Sequence, residues 1–74
     1  MKYIVIELQT NSDGTVGNLV YAYDTQPEAE SKYHAVLSAA AVSTIPVHAA
    51  VLMDNTGFFL ERKSYKHEVA QEQE

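Results

Sequence analysis

One segment restricts the fold more than any other: Thr25-Gln26-Pro27-Glu28, followed by Ala29, Tyr33, Val36, Leu37, Ala40 and Ala41 at the spacing of a single helical stripe. Thr25 can accept from the amide near Glu28 while the Glu28 carboxylate reaches back, and Pro27 falls in the first turn, where a missing amide costs nothing. The helix therefore starts at Gln26. Its stripe runs to Ala41 or Val42, and Pro46 ends it by pushing Ile45 out of the helical region. About sixteen residues span roughly 24 Å, enough to cross a four-stranded sheet.

Short apolar runs flank the helix on both sides. Tyr3 to Leu8 and Leu19 to Tyr23 read as a first hairpin around Asn11-Ser12-Asp13-Gly14, and Val47 to Met53 with Phe58 to Tyr65 read as a second around Asp54-Asn55-Thr56-Gly57. A right-handed crossover through the helix places the third strand beside the first. The expected fold is α+β: a single β-β-α-β-β domain over residues 1–67, with a four-stranded antiparallel sheet in the order 2-1-3-4 and one helix on one face. Residues 68–74 read as a polar, frayed tail.

If Asp13-Gly14 forms a two-residue loop, Leu8, Ile6 and Ile4 face Leu19, Tyr21 and Tyr23, and these six side chains meet the helix. Gly17 then sits inside the second strand, where a bulge is expected. The opposite face carries Tyr3, Val5, Val20, Ala22, Ala50 and Leu52, a second apolar row where a one-sided sheet ought to be polar. In the second hairpin the register stays open, because both Val47-Ala49-Val51-Met53 and Ala50-Leu52 form apolar rows. A contiguous exposed patch of this kind marks a contact surface, so those six residues are the candidate interface. No catalytic, cofactor-binding or metal-binding residue is assigned.

Composition narrows the remaining functions. A chain of 74 residues without cysteine has neither a disulfide nor a cysteine-based metal site to reinforce a small core, which favours oligomerisation. Ten acidic residues against five basic ones give a net charge of −5, which repels a phosphate backbone. Five tyrosines could stack on bases, but the cations such folds place around their aromatics are missing; the strip Arg62 to His67 reads as edge protection. His34, His48 and His67 show no ligand spacing. Ser64, His67 and Glu68 are close in sequence, yet a small one-helix sheet offers little concavity for a nucleophile. Met1-Lys2 leads directly into a strand and no apolar run approaches membrane-spanning length, so a cytoplasmic location without export signal is expected.

The segments Met1-Lys2-Tyr3-Ile4-Val5-Ile6-Glu7, Asp13-Gly14-Thr15-Val16-Gly17-Asn18, Ala29-Glu30-Ser31-Lys32-Tyr33-His34 and Tyr65-Lys66-His67-Glu68 resemble, over nearly the whole chain, a group of short uncharacterised proteins encoded by bacteria and their prophages. The resemblance implies no activity, cofactor or catalytic residue. The expected role is a non-enzymatic protein–protein interaction module, a homodimer through the sheet face opposite the helix. The prophage setting suggests an alternative: a small acidic inhibitor occupying a basic groove of a host defence or nucleic-acid enzyme.

Overall fold

The computed structural model describes residues 2–67; the expected tail at 68–74 lies outside the described residues. Strand β1 is Tyr3–Thr10, β2 Val16–Tyr23, helix α1 Gln26–Ala41, β3 Val47–Asp54 and β4 Phe59–Lys66. All neighbours pair antiparallel, in the order β2-β1-β3-β4. The topology and the helix limits agree with the reading of the sequence.

Capping fixes where the helix begins. Thr25 is extended, its hydroxyl accepts from the Glu28 amide at 3.4 Å and donates to Glu28 Oε1 at 3.0 Å, so the glutamate returns to the capping hydroxyl. Gln26 bridges to Glu30 at 3.0 Å on the next turn. Thr25→Ala should therefore cost about 1 kcal/mol and lower Tm by about 4–8 °C, as thermal denaturation will report. A melting curve coincident with that of the wild type would show that the cap contributes nothing.

The two hairpin loops share one design. Gly14 and Gly57 adopt φ of 91° and 90°, and their amides donate to Asn11 and Asp54 carbonyls at 2.9 and 3.1 Å. Each loop is thus a turn closed by a left-handed glycine, a conformation that an L side chain resists. Asp13 accepts from the Thr15 amide and hydroxyl, and Asp54 from the Thr56 hydroxyl and amide and from the Phe58 amide. These bonds hold both carboxyls below the ordinary aspartate range.

The first loop fixes which residues of β1 share a face with which residues of β2. Asn11 pairs with Thr15, and the ladder runs Thr10↔Val16 through Tyr3↔Tyr23 without interruption, one residue away from the two-residue-loop register. A slip of one residue exchanges the two faces of a strand. Tyr3, Val5, Ala50 and Leu52, expected on the open face, lie on the helix side, the β3 pair through the register Val5↔Leu52 and Glu7↔Ala50. There Val5, Ala50 and Leu52 join Ala29, Tyr33 and Val36 in the core, with Tyr3, Tyr21, Tyr23 and Leu37 packed around it. Val20 and Ala22 alone of the six candidate residues stay on the open face. Ile4, Ile6 and Leu8 move there with them. Gly17 pairs regularly with Gln9, and the sheet's bulge falls between Leu52 and Met53 against β4.

Small residues line the contact between helix and sheet. Ala29 and Ala40 are fully buried in α1, Ala50 is fully buried in β3, and the Tyr33 ring is buried with them. Tyr33 is held above the ordinary phenol range by desolvation, reinforced by the Glu61 and Tyr65 charges.

Candidate functional site

Directly opposed residues on adjacent strands share a face, so the open side can be written as rows across β2, β1, β3 and β4. These are Val16-Thr10-Val47-Lys66, Asn18-Leu8-Ala49-Ser64, Val20-Ile6-Val51-Arg62 and Ala22-Ile4-Met53-Phe59. Along β2, β1 and β3 these rows are mostly aliphatic, with Thr10 and Asn18 the polar members. No described carboxylate belongs to any row, although the chain as a whole is acidic. The two cations, Arg62 and Lys66, lie along β4, and Arg62 sits 5.9 Å from the Phe59 ring centre.

Val20 is 59% exposed and Phe59 54% exposed, while Ile4, Ile6, Leu8, Val51 and Met53 are partly buried. Taking about 3.3 Å per residue and 4.8 Å per strand, eight residues by four strands cover roughly 500 Å² in projection. That figure covers the whole face, Arg62 and Lys66 included, and is of the size of the largest patch on an ordinary monomer, roughly 300–600 Å², which is often a contact surface. Where Ala49 and Ser64 oppose each other, their short side chains leave a hollow of about 360 Å³ bordered by Leu8, Val51 and Arg62.

The same register takes the tyrosines of the sheet off the open face. Tyr3, Tyr21, Tyr23 and Tyr65 occupy rows on the helix side, where Tyr21 holds the Lys32 ammonium at 4.1 Å, and Tyr33 is on α1 itself. Of the sheet's aromatics only Phe59 belongs to the open rows.

A second cluster, which reading the sequence did not find, closes the far end of the helix. His48 is 3% exposed on the helix side of β3; its Nε2 donates to Glu7 Oε2 at 2.6 Å, and its Nδ1 lies 3.0 Å from Ser43 Oγ. In the neutral ring Nδ1 accepts the serine proton. In the charged ring Nδ1 donates, and the hydroxyl turns to the Ala40 carbonyl at 3.3 Å. Gln9 also donates to Glu7 at 3.0 Å, and His67 donates to the Ala40 carbonyl at 2.8 Å.

Serine, histidine and glutamate in contact invite comparison with a nucleophilic triad, but the surroundings oppose that chemistry. Ser43 sits at the C-terminal end of α1, where the helix dipole is negative and carbonyls face the hydroxyl. An oxyanion formed there meets acceptors instead of the amide donors it needs. The cluster can instead tie the helix end to the sheet by satisfying buried polar groups. The trio noted in the sequence is not brought together: Ser64 lies on the open face, His67 on the helix side, and Glu68 lies outside the described residues. Among the described residues no group of His, Cys, Asp or Glu is placed to hold a metal ion, and no helix is long and apolar enough to cross a membrane.

Desolvation pushes the Glu7 carboxyl up, yet hydrogen bonds from His48 and Gln9, with the charges of His48 and Lys32, outweigh it and hold the group below its ordinary value of 4.5. A carboxyl depressed in the folded state contributes stability that is complete above the unfolded value and is lost as pH falls through the folded one. Urea midpoints measured from pH 7 to pH 3 should therefore fall more steeply for the wild type than for Glu7→Gln. Parallel profiles would contradict a stabilising Glu7–His48 contact.

A subtler signal was present for this cluster: His48 has the same strand parity as the buried Ala50 and Leu52, and Glu7 has the parity of Val5. The chain matches no protein-family model, and no curated protein or solved structure resembles it at a significant level.

Proposed function

We propose that the chain is a protein–protein interaction module that acts without cofactor, in the cytoplasm, as a homodimer built by stacking two copies through the open sheet face. The observation that carries this reading is the aliphatic surface of Ile4, Ile6, Leu8, Val20, Val51 and Met53, free of described carboxylates on a chain of net charge −5. Aligned sheets pack about 10 Å apart with interdigitating side chains. A projected footprint of about 500 Å² on each copy gives roughly 1,000 Å² in all, the lower bound for a specific interface. The hollow over Ala49 and Ser64 accepts a projecting side chain such as Phe59 of the second copy.

A second copy fits this face better than a basic partner does. Its only charged side chains are cations, so a basic groove would be repelled, whereas a stacked pair can leave Arg62 and Lys66 in water at the rim. Light scattering in 50 mM and 1 M salt separates the two readings. Apolar stacking predicts the same assembled mass in both; release of a bound basic partner by salt, from a chain that is itself monomeric, supports the acidic inhibitor instead.

A further inference from the structure

We propose that β2 pairs edge to edge with β2 of a second copy, antiparallel across a two-fold axis through Leu19, joining two four-stranded sheets into one. This contact is independent of face stacking. It rests on a difference between the two sheet edges. Strand β4 carries Glu61, Arg62, Lys63 and Lys66 and is interrupted by a bulge, the usual protections against added strands. Strand β2, Val16-Gly17-Asn18-Leu19-Val20-Tyr21-Ala22-Tyr23, has no proline, no acidic or basic side chain and no bulge over eight residues.

Backbone parity settles which groups remain available. Asn11 bonds Thr15, so the odd residues of β2 direct their N–H and C=O groups toward β1, and the even residues direct theirs outward. These outward groups are self-complementary. With Leu19 opposite its own copy, Asn18 meets Val20 and Val16 meets Ala22, which pairs every outward residue and forms about eight inter-chain hydrogen bonds. Each pair also keeps its side chains on one face. Gly17 meets Tyr21 of the second copy on the helix side, and nothing lies within 4 Å of where a Gly17 side chain would begin, so the ring has room. Leu19, 50% exposed on the single chain, packs against its mate.

The pairing is tested with Leu19→Cys in a chain that otherwise has no cysteine. Residues facing each other in this type of pair have Cα atoms about 4.5 Å apart, within disulfide range. Mild oxidation should convert most of the variant to a covalent dimer, while Lys63→Cys on the other edge stays monomeric on a non-reducing gel. In parallel, Asn18→Pro removes an outward amide and leaves the β1 ladder intact; it should halve the assembled mass without changing the far-UV circular dichroism. Failure of Leu19→Cys to cross-link would overturn edge pairing, and if Asn18→Pro folds, an unchanged mass would do the same. Ile6→Glu, which faces the open side from an inner strand, separates this outcome from failure of face stacking. Edge pairing survives that substitution.

Discussion

Ile6→Glu should abolish the face-to-face contact while leaving the fold of each chain in place. Ile6 lies on the inner strand β1 between Val20 and Val51, in the middle of the open rows, and neither neighbour offers a cation. In a free chain the glutamate stays hydrated above the sheet. In a stacked pair it must lose water against aliphatic side chains, at a cost of several kcal/mol that no partner offsets. A penalty of about 3–4 kcal/mol raises the dissociation constant by roughly 10²–10³. Sedimentation velocity should show that loss of mass at micromolar concentration, with circular dichroism unchanged; a variant that sediments like the wild type would place the interface elsewhere.

Leu52→Ala should act in the opposite way, on folding before association. Leu52 is fully buried beneath α1 beside Val5. Truncating such a leucine costs about 2–5 kcal/mol, because the transfer energy is lost and a cavity remains. At about 0.05–0.15 kcal/mol per residue, a chain of 74 residues holds only about 4–11 kcal/mol in all. The substitution therefore removes a large share of the stability, and urea denaturation should show a midpoint shifted to much lower denaturant. The result also discriminates between the two registers. Were Leu52 on the open face, the variant would weaken association and leave the unfolding of the single chain little changed.

The contrast between these two residues shows where sequence was informative. Helix α1 was legible because capping, proline placement and a 3.6-residue stripe all agree over Thr25 to Ala41. Strand order followed from the handedness of one crossover. The faces were not legible, since β1 and β3 are apolar at both parities: Ile4-Ile6-Leu8 competes with Tyr3-Val5, and Val47-Ala49-Val51-Met53 with Ala50-Leu52. The loop sets how β1 is aligned with β2. Asp13-Gly14 suggested a two-residue turn, while the Thr15 hydroxyl and amide bind Asp13 and lengthen the loop, exchanging the faces.

The existence of a second apolar face survived that exchange, although four of its six expected residues did not. Polar outliers on the buried side obscured the parity further. Glu7 and His48 resemble solvent-facing residues in a linear reading, yet they meet each other across β1 and β3 at the end of the helix. Their pairing depends on a contact 41 positions apart in sequence, which local periodicity does not report.

Light scattering of the unmodified protein across a concentration series to several hundred micromolar reads its assembly without any substitution. Stacking through the open face gives a mass of twice the 8.2 kDa chain, or four times it where the β2 edges are also joined. A constant single-chain mass throughout the series would contradict it.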